Sequence, residues 1–116
     1  MADHRATLTA FALSLPGTRE DLPWNERVVK VRDKVFVFLG ARDGSDEPGV
    51  SVKLAESHGH ALSIQGARPT GYGLGKAGWV TVPIADVPPA TLREWVEESY
   101  RIVAPKRLVA ELDARD

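Results

Sequence analysis

Residues 24–41, WNERVVKVRDKVFVFLGA, hold two runs of β-branched and aromatic residues on either side of Asp33-Lys34. Val29 and Val31 alternate with Val28, Lys30 and Arg32. Val35, Val37 and Leu39 alternate with Phe36 and Phe38. Period-2 alternation around a short polar break predicts an antiparallel hairpin, with strands over roughly 26–32 and 34–41. Asp33 accepts the left-handed backbone of a two-residue turn more readily than Lys34 does. The first strand is apolar on one face and mixed on the other. The second is apolar on both, which places it centrally in a sheet with helices over at least one side. A lone hairpin is marginal in water, so the flanking segments must cover it.

Upstream, Leu8, Phe11, Ala12 and Leu15 recur at i, i+3, i+4 and i+7 and predict a helix over residues 4–15. Asp3 is its expected N-cap, and Pro16-Gly17 its end. Thr18–Pro23 reads as a charged approach loop.

Downstream, Arg42–Gly49, RDGSDEPG, is turn chemistry. Val50, Val52 and Leu54 alternate with Ser51 and Lys53 and predict a third strand. Ala55–Gln65 reads as a short helix closed by Gly66. Arg68–Gly75, RPTGYGLG, reads as an irregular glycine-rich connector. Lys76–Ile84 is strand four, with Pro83 marking an edge or a strand end. After Pro88-Pro89, Thr91 and Glu94 have capping-box spacing, and Leu92, Trp95, Val96 and Val103 line one helix face. Pro105 breaks that helix and suits the first turn of another, whose apolar face is Leu108, Val109 and Leu112.

The expected order is α-βββ-α-β-αα. It makes an α+β, two-layer fold, an antiparallel sheet of four to five strands with helices on one face. With 116 residues and no linker, repeat or low-complexity segment, residues 1–116 read as one domain. The hydrophobic fraction of 43% is that of a globular chain. A net charge of -1 gives no global field toward nucleic acid or an anionic membrane, so any such binding needs a local patch. The absence of cysteine removes disulfides, thiol catalysis and thiolate metal sites. No apolar run approaches the ~18–20 residues of a membrane span, and the N-terminus lacks a long apolar core. The expectation is a cytoplasmic protein with no membrane partner.

Gly73-Leu74-Gly75-Lys76-Ala77-Gly78 spells G-x-G-x-x-G. A dinucleotide site needs a strand before this motif and a helix after it, and here a loop precedes and a strand follows. A P-loop reading also fails, because no glycine stands five residues before Gly75 and Ala77 stands where a hydroxyl would hold Mg²⁺. His58 and His60 diverge if the segment is helical, and with His4 they leave too few ligands for a metal. Ser57 beside them has no recognisable base and orienter. Glu20, Asp21 and Glu26 read as a solvated loop rather than paired catalytic carboxylates. The chain is therefore expected to be non-enzymatic, with no cofactor and no metal.

The cations carry more information. Lys30 and Arg32 share one strand face, Lys53 points away from the apolar face of strand three, and Arg68 and Lys76 flank the glycine connector. Trp24, Tyr72 and Trp79 lie near them in sequence. Such a surface can hold phosphates and stack bases.

The helix ending LSLPG, Glu-Asp-x-Pro-Trp at 20–24, V-x-K-V-x-x-K-V-F at 29–36 and V-S-V-K-L at 50–54 together resemble the MmcQ/YjbR family. So do Pro69…Gly71-Tyr72…Lys76…Trp79 and the Ser99-Tyr100 pair. The resemblance runs over about residues 5–112. It implies a secretion-chaperone-like sheet and a DNA-binding protein with a double-wing motif, and it brings no catalytic residues. The chain departs from the family pattern where Gly75-Lys76 and Gly78-Trp79 replace Asn-Lys and His-Trp.

Three functions follow as expectations. The first is DNA binding through Lys30, Arg32, Lys53, Arg68 and Lys76, with Trp24 and Tyr72 stacking. The second is a protein-interaction adaptor or homodimer using an open sheet face or the edge near Pro83. The third is a small-molecule site formed by Lys53, Tyr72, Lys76 and Tyr100.

Overall fold

A computed structural model describes residues 4–21, 27–39, 49–70, 74–84 and 87–115. The hairpin is its centre. Strand β2 (Val28–Val31) pairs antiparallel with β3 (Lys34–Phe38), with Val31 opposite Lys34. The two turn residues are therefore Arg32 and Asp33, one position earlier than expected, and Arg32 takes the left-handed backbone at φ 59°.

The expected alternation along β3 fails at one point. Val29 pairs with Val37 and Lys30 with Val35, which leaves Phe36 as an extra residue with no opposite number on β2. A bulge of this kind interrupts the period of two. Phe36, Val37 and Leu39 consequently all pack on the helix side, while Val35 and Phe38 lie on the other face.

Among the described residues the sheet has six antiparallel strands rather than four or five, in the order β1-β2-β3-β4-β6-β5. Strand β1 (Thr18–Asp21) pairs with β2, so the segment read as an approach loop is an edge strand. Strand β4 (Gly49–Lys53) joins β3 to β6 (Trp79–Pro83). The two-residue β5 (Arg68–Pro69) forms the other edge, inside the segment read as irregular. Pro83 ends β6.

Helices α1 (His4–Leu13), α2 (His58–Leu62) and α3 (Pro89–Val103) cover one face, and α4 (Lys106–Asp113) follows α3. Pro88 is the N-cap of α3 and Pro89 its first residue, so the expected Thr91–Glu94 box falls inside the helix. The main core joins Leu8, Ala12 and Leu15, the Val29, Val31, Val50, Val52, Val80 and Val82 row, and Leu92, Trp95, Val96 and Tyr100. Phe36 meets Tyr100 edge-on at 5.4 Å. Asp3, expected to cap α1, lies outside the described residues.

Candidate nucleic-acid interface

The sheet face away from the helices is where the strand cations emerge. Because Val50, Val52 and Leu54 point into the helix-side core, Ser51 and Lys53 point the other way. Arg68 is opposite Thr81 on β6, whose hydroxyl contacts those of Ser51 at 2.7 Å and Thr70 at 2.9 Å. Arg68 thus shares the face of Lys53. Lys30 shares it too, lying opposite Val35.

This face is not a flat basic plate. Its middle is a second apolar cluster of Val28, Phe38 and Trp79, with Val35 and Leu74 packed against it. Phe38 and Trp79 stack edge-on at 5.3 Å and are each 7% exposed, so neither offers a ring to a base. Trp79 closes the sheet rather than a binding surface. Trp24 and Tyr72, expected to stack bases, lie outside the described residues.

The five cations divide into groups. Lys30 is held by Asp21 at 3.0 Å across the β1–β2 pair, and Arg27 by Glu20 at 2.8 Å. The carboxylates of the misread loop neutralise them. Lys30 therefore leaves the expected phosphate-binding set. Among the described residues Lys53, Lys76 and Arg32 meet no carboxylate within ion-pair distance. Lys76 is exposed on a 3₁₀ turn, Leu74–Ala77, that enters β6. That turn is dictated by sterics: a Cβ on Gly75 would stand 2.8 Å from Pro69 Cβ and 3.2 Å from the Thr70 carbonyl. Gly75 of the G-x-G-x-x-G string serves this close approach, and Gly78 turns into the strand at φ 99°. Arg32 sits at the hairpin tip, outside the strand on which it was expected to share a face with Lys30.

Beneath the face, three consecutive α3 residues tie the layers. The Glu98 carboxylate accepts from the Ala55 N–H at 2.8 Å, the Ser57 N–H at 3.2 Å and the Ser57 hydroxyl at 2.7 Å. Burial alone would raise its pKa, but the Ser57 hydroxyl and the backbone N–H groups of residues 55–57 outweigh that and hold it below the ordinary value. Ser99 bridges β3 and β4, and the Tyr100 hydroxyl donates to the Pro16 carbonyl at 2.6 Å. Burial raises the Tyr100 pKa, and Glu111 adds to it while Arg115 and Arg101 oppose. Tyr100 is fully buried on the helix side, so it does not join Lys53 and Lys76 in a small-molecule site.

Among the described residues no group of three His, Asp or Glu side chains is placed to hold a metal. Ser57 donates its hydroxyl to Glu98, and His60 stands edge-on to Trp95 at 5.4 Å, so these two side chains do not form a relay with each other. Among the same residues no helix is long and apolar enough to cross a membrane.

A family model named YjbR matches residues 13–102. The chain belongs to the YjbR family. No curated protein matches it. Among solved structures it is similar to a Deinococcus radiodurans protein with a DUF419 domain. Identity is 28% and the TM-score 0.67, over 84% of this chain and 76% of the other. A Pseudomonas syringae protein shares the fold at 20% identity and TM-score 0.66, over 85% and 97% of the two chains. The YjbR match takes in α3 through Tyr100, so the Ser99-Tyr100 pair quoted for the resemblance has a physical role as the sheet's anchor. That role was invisible in sequence, because both partners are backbone carbonyls and amides.

Proposed function

We propose that this YjbR-family chain is a non-enzymatic protein that binds DNA through backbone phosphates, using Lys53, Arg68 and Lys76. Support comes chiefly from Lys53 on the sheet face away from the helices and Lys76 on the exposed turn entering β6, neither with a carboxylate partner among the described residues. Strands are about 4.8 Å apart and rise about 3.3 Å per residue. Lys53 and Arg68, two strands and two residues apart, therefore start about 12 Å from one another. Long side chains from points so spaced can reach separate phosphates of one duplex. Phosphate contacts position a protein without reading sequence, and the sequestered rings of Phe38 and Trp79 add no base stacking.

Three such contacts give a slope of log affinity on log salt of about −2.7 for duplex DNA. Lys53→Ala should flatten that slope by about 0.9 while weakening all sequences alike. A fluorescence-anisotropy titration of a labelled duplex at several salt concentrations measures both. No binding at low salt, or a slope untouched by Lys53→Ala, rejects the proposal.

A further inference from the structure

Arg32 and Lys34 belong to a different part of the surface. The hairpin tip lies against the junction of α3 and α4, and between them is a solvent-open concavity of about 240 Å³ lined by Val31, Arg32, Asp33, Lys34, Val103 and Pro105. At ~30 Å³ per water this is about eight water volumes, room for a phosphoryl group and part of what bears it.

We propose that this concavity is a binding site for a small phosphate dianion, free or as a monoester. Arg32 and Lys34 are exposed and meet no carboxylate within ion-pair distance among the described residues. The guanidinium offers a planar fork to two oxygens, and the ammonium offers a point charge. Asp33 is the one acid in the lining. Among the described residues its only ion pair is with Arg19 at 3.9 Å, and its side chain is fully exposed, so it is free to swing away. The lining therefore sums to a single positive charge.

The charge pattern of α4 points the same way. A helix start normally carries acids or a side-chain cap, because its N–H groups and dipole are positive. Here Pro105 provides no side-chain cap, the first turn has no acid, and Lys106 and Arg107 occupy it. An anion beside Pro105 would compensate that arrangement.

The walls are fixed in place. The Arg32 N–H donates to the Gly17 carbonyl at 3.4 Å, and Gly17 abuts Leu108 of α4 so closely that a Cβ there would stand 2.7 Å away. Hairpin tip, α1–β1 turn and α4 thus converge on one spot.

The test is an amide-shift titration of the whole chain with sodium phosphate against sodium chloride at matched ionic strength. A phosphomonoester such as glycerol phosphate forms a second arm. The expected result is saturable shifts confined to residues 31–34 and to 103, 104, 106 and 107, the N–H groups flanking Pro105. Either arm saturating supports the site, and the tighter one identifies the source. Arg32→Asn with Lys34→Gln should weaken binding about tenfold, and Asp33→Asn should tighten it about threefold. Asn keeps the turn, and the amide spectrum itself reports folding. Linear shifts spread over every exposed cation, or an affinity indifferent to all three substitutions, overturn the site. Saturable phosphate shifts in a chain that ignores duplex DNA still support it, so the two proposals fail separately.

Discussion

Ser99 occupies a gap in a β-ladder. The β3–β4 register, continued by one residue, would set Phe36 opposite Lys53 for a direct bond. Instead the Ser99 hydroxyl stands between them, accepting from the Lys53 N–H at 2.9 Å and donating to the Phe36 carbonyl at 2.5 Å. The bulge at Phe36 opens the space, and α3 fills it. Ser99→Ala strands a part-buried donor and a buried acceptor, so it should cost about 1–3 kcal/mol in urea denaturation. Wild-type stability in that variant would mean that the strands close the gap by themselves. Neighbouring Glu98 carries a pH signature. Its folded pKa lies below the unfolded value, so its contribution is full above about pH 4.5 and is lost as pH falls through the folded pKa. Glu98→Gln should therefore destabilise the chain near neutrality by about 1–2 kcal/mol, discounted for partial exposure. The gap between variant and wild type should narrow on titration to pH 3. A gap constant across that range would show that the carboxylate's charge is irrelevant.

At the scale of the element, the β2–β3 turn is the strained piece. Arg32 at φ 59° carries a side chain where Gly or Asn is at ease. Arg32→Asn should stabilise the hairpin by about 0.5–1 kcal/mol, read as a rise in thermal midpoint. No rise would mean that the Arg32 side chain recovers the strain through packing on α3. The hairpin, β4, β6 and the two late helices were legible because apolar residues mark their buried faces. Strand β1 was not: Thr18-Arg19-Glu20-Asp21 pairs through its backbone and shows no apolar period. Missing β1 also hid the Asp21 partner of Lys30, which is why one cation of the expected site proved to be neutralised. The faces of Lys53 and Arg68 followed from local register. The displacement of Arg32 did not: it goes with the bulge at Phe36, whose carbonyl and ring meet Ser99 and Tyr100 of α3, contacts that the hairpin's own sequence does not carry.

For the molecule as a whole, the sheet's two edges decide how it meets other chains. An exposed strand edge invites pairing unless it is short, charged or interrupted by proline. Strand β1 has four residues, three of them charged, and β5 has two, one of them Pro69. Both edges are therefore blunted, and the adaptor expectation loses strand addition as its mechanism. The large apolar side chains exposed among the described residues are Leu13 at 38% and Ile102 at 39%, which do not amount to the patch a stable homodimer buries. Light scattering coupled to size exclusion should then return the 12.6 kDa monomer from micromolar to sub-millimolar concentrations. A mass of twice that would place the self-association surface away from the sheet edges. Repeating the measurement for Pro69→Val, which restores a donor and a β-branched side chain to β5, tests the physical reason directly. If the proline is what keeps this edge closed, that variant should self-associate where the parent chain does not.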